Sequence, residues 1–361
     1  MKKIALLFFV FLFVQTTKAQ QLVYTGNMLQ GGIADGVKLV EYYIKPVNKA
    51  IISGINNTEY NNLKIYDDKK RFSISLRIAT IIIPKKDRKF KVDTIEFETI
   101  KVDSGEYAQT VFGDTIMSVL FVSKDSTIHY DTISIFPLNV NAYWKPVFSF
   151  YSPPGSGHHV MPIPYLQLGY NFGFGYLSAN IVPATPLLGS DMKLLLFGLS
   201  WQQNLLPFLK DKPYELSALA GFNTIKASAQ LHIEPDPSLI SFDKNSYDNQ
   251  YIQINYLNLF VSVYGTYHLS QKFSFYGGIG YTWGKSLINV LGTYPVYKKD
   301  PTGTTSVTVE NVEDPMKDSE VTYNRLKTVL GTNINFGSFY LQANYTIAEY
   351  SGIGIVLGKK F

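Results

Sequence analysis

A chain of 361 residues without a single cysteine excludes disulfides, thiolate zinc sites, cysteine nucleophiles and a lipid-anchored N-terminal Cys. Charged residues make up 17%, below the quarter or so usual in a soluble domain, while 26 Tyr and 24 Phe make the chain strongly aromatic. The net charge of +5 comes with no cluster of Lys and Arg interleaved with aromatics, which argues against nucleic acid as a partner.

The chain opens on "MKKIALLFFVFLFVQTTKAQ". Two lysines, an apolar run from Ile4 to Val14 and a polar, small-residue close read as a secretory signal peptide cut between Ala19 and Gln20. The alternative is an uncleaved anchor, but the run falls short of the ~20 residues that a spanning helix needs. The expected organisation is a signal at 1–19, a periplasmic N-terminal helix and linker at 20–69, and an outer-membrane barrel at 70–361 with a long excursion at 85–160.

In "ADGVKLVEYYIKPVNKAIISGINN", Val37, Val40, Ile44, Val47 and Ile51 recur at helical spacing, with Pro46 in mid-run and Gly54 near the end. This predicts a kinked amphipathic helix over 34–54. A helix with its side chains is ~10–12 Å wide, and small barrels fill their interiors with side chains alone. The helix is therefore expected on the periplasmic mouth; the alternative is a plug inside a wider barrel.

From residue 70 onward the rhythm changes to alternation. Strands are predicted at 70–83, 162–171, 175–184, 191–204, 214–232, 251–269, 272–290, 321–335, 338–348 and 351–361. In "FSFYGGIGYTWG", Phe273, Phe275, Ile279, Tyr281 and Trp283 share one face with Gly277, while Ser274, Tyr276, Thr282 and glycines share the other. A soluble β-sandwich also alternates, but here the polar face is Gly, Ser, Thr, Asn and Tyr rather than Lys and Glu, as a crowded wet lumen requires. Aromatics at Tyr165, Phe172, Trp201, Tyr267, Phe273, Trp283 and Phe336 are placed as interfacial girdles would be. The fold expected is all-β: a transmembrane antiparallel β-barrel of about 10 strands, within roughly 8–14, after an N-terminal amphipathic helix. Tight turns at Phe172–Phe174, Ser270–Gln271 and Phe336–Gly337 would face the periplasm, and long connections at 233–250 and 291–320 the exterior. Charged stretches such as "PKKDRKFKVD" put the strands of 85–160 outside the hydrocarbon. The last strand, "SGIGIVLGKKF", would close the barrel with Ile353, Ile355, Leu357 and Phe361 toward lipid, and a terminal strand ending in Phe resembles the signal by which outer-membrane barrels are recognised for assembly.

"EYYIKPVNKAIISGINNTEYNNLKIYDDKKRFSISLRIATIIIPKKDRKF", "MPIPYLQLGYNFGFGYLSANIVP", "KLLLFGLSWQQNLLP" and "PYELSALAGF" together resemble the DUF6588 type of outer-membrane barrel, over most of the chain after the signal. The resemblance implies an exported barrel of the Gram-negative outer membrane. It carries over no functional residues, and "KIYDDKKRF" departs from the family's Gly- and His-containing approach to the first strand.

The function expected is a pore or channel for small molecules of unknown identity, with Arg77, Gln202, Asn258, His268, Arg325 and Lys327 as lumen candidates; the bland reading of each is lumen packing. Expected partners are outer-membrane lipids, the barrel-assembly machinery and the small-molecule cargo. A non-transport barrel that uses loops such as "KKDPTGTTSVTVENVEDPMKDSE" for partner binding is the alternative. An outer-membrane hydrolase is a third reading, with His268 beside Ser270 as its candidate pair, but GxSxG is absent. No cofactor is expected, and adjacent His158 and His159 lack the third ligand of a metal site.

Overall fold

The computed structural model describes residues 28–29, 31–65, 71–135, 138–186, 193–206, 212–231, 233–235, 247, 249–301 and 307–361. The cleavage position at Ala19 and Gln20 lies outside these residues. Ten strands, numbered here as barrel strands only, form a closed antiparallel barrel: β1 (Phe72–Ile82), β2 (Val160–Asn171), β3 (Gly175–Pro186), β4 (Lys193–Asn204), β5 (Tyr214–Gln230), β6 (Tyr251–His268), β7 (Phe273–Leu291), β8 (Met316–Phe336), β9 (Phe339–Ile347) and β10 (Gly352–Lys360). Each strand follows its chain neighbour around the wall, and β10 returns to pair with β1 from Ser73↔Lys360 to Ile81↔Gly352. The Phe361 N–H extends that seam by one bond, to the Phe72 carbonyl at 2.8 Å. Closure pairs the first and last strands, whose free edges a bilayer would penalise.

Alternation decides which face meets which solvent. Along β10, Ile353, Ile355 and Leu357 are 43–52% exposed while Gly352, Gly354, Val356, Gly358 and Lys360 are buried. On β6, Leu257, Leu259, Val261, Val263 and Tyr267 point outward and are exposed. Ten residues at ~3.3 Å each, tilted ~40°, cover about 25 Å, the height of a membrane barrel's apolar band. Phe172, Phe174 and Trp201 cluster at one rim, with ring centroids 5.7–6.1 Å apart. Tyr165, expected in that girdle, instead points into the barrel and is buried. Around it, in "MPIPYLQL", both phases are apolar, so alternation alone could not assign its face.

The longest connections lie at one end and the tightest turns at the other. Those at 172–174, 269–272 and 337–338 lie at one end, the turn end; those at 83–159, 231–250 and 292–315 lie at the other, the loop end. The four-residue connection 348–351 is an exception at the loop end. The long excursion folds outside the barrel wall, as a hairpin (Ser126–Ile135 with Leu138–Pro146), a three-stranded sheet and a short two-stranded ladder. The stretch expected as an open loop at 291–320 is largely strand: Thr293–Lys299 and Val307–Glu313 pair as a hairpin, and β8 already begins at Met316. Its polar sequence is that of a ribbon in water, where alternation need not hide an apolar face.

Helix α1 (Ile33–Gly54) runs uninterrupted through Pro46. It buries Val40, Ile44, Pro46 and Ile51, with Val37 and Val47 partly buried. Its first turns dock on the excursion. The Asp35 carboxylate accepts the backbone N–H groups of Glu98, Thr99 and Ile100 at 2.6–3.2 Å and the Thr99 hydroxyl at 2.8 Å. Burial opposes this charge, yet those four donors hold the carboxyl below its ordinary range. Farther along, the Tyr43 carbonyl accepts the Val111 N–H at 3.1 Å, and the Tyr43 hydroxyl donates to Pro154 O at 3.0 Å. The helix therefore enters from the loop end. Helix and short turns, both expected on the periplasmic side, occupy opposite ends of the barrel and cannot share one side.

Candidate functional site: a lumen threaded by the chain

The helix does not stay on the mouth. Asn48 Oδ1 accepts the Tyr256 hydroxyl at 2.7 Å, inside the barrel, and from Ala50 to Leu63 every residue is buried. The width objection is met at two glycines. A Cβ on Gly284 would lie 2.2 Å from Ile52, and one on Gly354 would lie 2.4 Å from Thr58, so the wall gives up side chains where the chain needs room.

The helix stops at Gly54, and its last turn holds no basic residue. The barrel supplies the cations that a helix C-terminus favours. Arg325 donates to Ser53 O and, at 3.0 Å, to Asn57 Oδ1. Lys327 donates to Asn56 O at 2.5 Å, and Asn258 Nδ2 to Ile52 O at 2.7 Å.

Beyond the helix, "INNTEYNN" threads the rest of the lumen toward the turn end. Asn side chains compete with helical backbone bonds, and here the wall completes what the extended backbone lacks. Asn56 bonds Asn258, Thr282 and Asn223. Glu59 accepts from Tyr165 at 2.9 Å, Asn180 at 2.7 Å and Gln167 at 3.3 Å, within electrostatic reach of Arg77 and Lys327. The Tyr60 ring stacks on Tyr276 at 4.0 Å, and its hydroxyl pairs with Thr266. Gln202 holds Asn61 as a neighbouring strand would, accepting its N–H at 2.9 Å and donating to its carbonyl at 2.8 Å. Arg77 reaches Asn61 Oδ1 at 2.5 Å. Asn62 donates to Ser274, and Leu63 O accepts from Asn171, at the turn end.

Arg77, Gln202, Asn258, Arg325 and Lys327 thus gather on one object, the threaded segment. His268 stands apart near the turn end, its Nε2 3.8 Å from Glu215. Ser270 accepts the N–H groups of Lys272 and Phe273 and so shapes the β6–β7 turn. Among the described residues, no three His, Cys, Asp or Glu gather as metal ligands would. Asn56, Glu59, Tyr60 and Asn61 were missed as site residues; the signal was their position, a polar run between an amphipathic helix and the first strand, too polar for a core and too short of Gly and Pro for a loop.

The lumen has two chemistries. Near the loop end, Ile81, Ile163, Leu196, Ile225 and Ile288 surround Ile51, Ile52 and Ile55 in an apolar cluster. Toward the turn end, most of the wall is polar, with Ser75, Gln167, Ser178, Ser200, Gln202 and Ser274 buried there, interrupted by a small cluster of Leu219, Phe260, Tyr264, Tyr276 and Val329 around Tyr60.

A model of one protein family matches this chain over residues 1–361. The chain belongs to DUF6588, a family of unknown function. No curated protein matches it. Among solved structures, this DUF6588 barrel is similar to an outer membrane channel from Pseudomonas putida F1, at 10% identity over 84% of this chain and 100% of that one, with a TM-score of 0.33. It is similar to the attachment invasion locus protein Ail of Yersinia pestis (9%, 81% and 97%, 0.27) and to the Pseudomonas putida toluene transporter TodX (11%, 87% and 72%, 0.28).

Proposed function

We propose that this barrel is a gated channel for small molecules in the outer membrane, with residues 55–63 as the gate. The observation that carries the reading is the nature of the seal: from Asn56 to Asn62 the obstruction is held mainly by side-chain hydrogen bonds to the wall, with Tyr60 packed in a small apolar cluster against Leu219, Phe260, Tyr264, Tyr276 and Val329. Buried hydrogen bonds contribute only about 0.5–1.5 kcal/mol each over their bonds to water, so the polar residues of the segment can exchange their partners for water at small cost, and Ile55 and Tyr60 are the apolar contacts that opening must break. Among the described residues, neither amide atom of Gln342, buried in the wall on β9, has a hydrogen-bond partner. The segment with the signal-peptide pattern and the lipid-facing band support an outer-membrane location, with membrane lipids and the barrel-assembly machinery as partners. Ser270 holding a turn is one reason to read the protein as a non-enzyme.

Replacing residues 55–62 with a Gly/Ser linker of equal length tests this, because the strands bond only to strands and the barrel can still close. The expected outcome is a heat-modifiable barrel with larger single-channel conductance in planar bilayers than the parent. An assembled variant that conducts no more than the parent overturns the channel and favours a barrel whose folded loop-end excursion serves partner binding.

A further inference from the structure

The wall is not sealed evenly. Between β2 and β3 the ladder runs from Asn171↔Tyr176 to Leu166↔Ile181 and stops. Both strands continue, β2 in register with β1 as far as Val160↔Ile82, and β3 with β4, after a register shift between Val182 and Thr185, at Thr185↔Leu194 and Pro186↔Lys193; among the described residues no β2–β3 ladder pair follows.

The sequence explains the break. The N–H of Asn171 bonds Arg71 O on the β1 side, the carbonyl of His159 accepts from Ile83, and the N–H of Phe172 bonds Gly175 O across the β2–β3 turn. Odd-numbered residues of β2 therefore turn their backbone groups to β1, and even-numbered residues to β3. Pro162 and Pro164 fall on even positions, so the donors they lack are those that would reach β3. Continued register would set Pro164 opposite Pro183, a pair in which neither residue has an N–H to give. Proline also makes the break tolerable in lipid, because it removes the donors that hydrocarbon would strand.

The break lies six to eight residues above the rim residue Tyr170, about 15–20 Å at a ~40° tilt, in the loop-end half of the apolar band. Directly behind it is the apolar part of the lumen. Ile163, on β2 at the break, packs on Gly54 so closely that a Cβ there would sit 2.7 Å from its Cδ1. The route along the barrel axis, by contrast, passes through the hydrogen-bonded segment 55–63.

We propose that the β2–β3 break is a lateral port through which uncharged apolar molecules pass between the loop-end half of the bilayer and the apolar chamber now filled by Ile51, Ile52 and Ile55. The proposal rests on the channel reading and names its substrate class and route. Its test uses the absence of native cysteine. Pro164→Cys with Pro183→Cys places one thiol on each side of the port, on the outward face, and oxidation staples it shut. Cells that express the full chain are exposed to N-phenyl-1-naphthylamine, an uncharged apolar fluorophore. The expected result is uptake through the parent barrel, less through the reduced double variant because its two new residues also return N–H donors, and a loss to the level of cells lacking the barrel when that variant is oxidised. A second variant, Pro162→Thr with Pro164→Thr, returns the donors without a crosslink; it should lower uptake and slow amide exchange along the edge of β2. Uptake through an oxidised, assembled double variant equal to that of the parent, or undiminished in the threonine variant, overturns the port while the linker-substituted barrel still conducts. If neither the fluorophore nor ions pass through the parent or the linker-substituted barrel, the channel reading falls and the port falls with it.

Discussion

Glu59 shows how much one side chain in the threaded segment is asked to do. It is buried, accepts from Tyr165, Asn180 and Gln167, and offsets Arg77 and Lys327, which are themselves buried on the wall. Removing one charge from such a group leaves the others uncompensated, typically at a cost of about 3–5 kcal/mol. Glu59→Ala is therefore expected to lower the urea midpoint of the folded barrel, read by tryptophan fluorescence, by far more than Asn62→Ala, which gives up two uncharged bonds, to Ser274 and from the Lys64 N–H. Equal midpoints for the two variants would show that the charges are solvated and the segment is only loosely seated. None of this was legible in the residues alone. Arg77, Arg325 and Lys327 stood out as charges on otherwise apolar strands, but their shared partner lies 16 to 272 residues away in sequence, and no spacing rule connects them.

At the scale of the element, the strands were legible and the helix only half so. Ten alternating stretches predicted ten strands because an apolar outer face and a crowded lumen impose period two throughout. The helix was readable from its apolar stripe, but its depth was not, because depth depends on Gly284 and Gly354 across the barrel. Two predictions belong here. Leu357, 52% exposed on the outer face of β10, should tolerate no charge: Leu357→Arg is expected to cost about 2–4 kcal/mol at mid-bilayer depth, seen as a smaller heat-modifiable fraction. At the other end of the molecule, Asp35 anchors α1 to the excursion through three backbone donors and a hydroxyl. Since its carboxyl is held below the ordinary range, that stabilisation is complete above the unfolded value near 4 and is lost as the pH falls through the lower folded value. Limited proteolysis by an acid-active protease should therefore open residues 92–104 in the parent as the pH drops below about 4, and in Asp35→Ala already at neutral pH.

For the molecule as a whole, the fold came from local patterning and the site from long-range placement, which is why the barrel could be read and its occupant could not. The occupant also constrains how the barrel can come to exist. The chain enters the ring at the loop end, leaves it at the turn end, and only then begins β1; the ring is completed when β10 meets β1. A segment whose two flanks emerge from opposite ends of a closed hoop cannot be laid in from the side afterwards. Laid in while the ring is still open, residues 48–63 act as a mandrel on which the sheet is wound, and the meeting of β10 with β1 locks them in place.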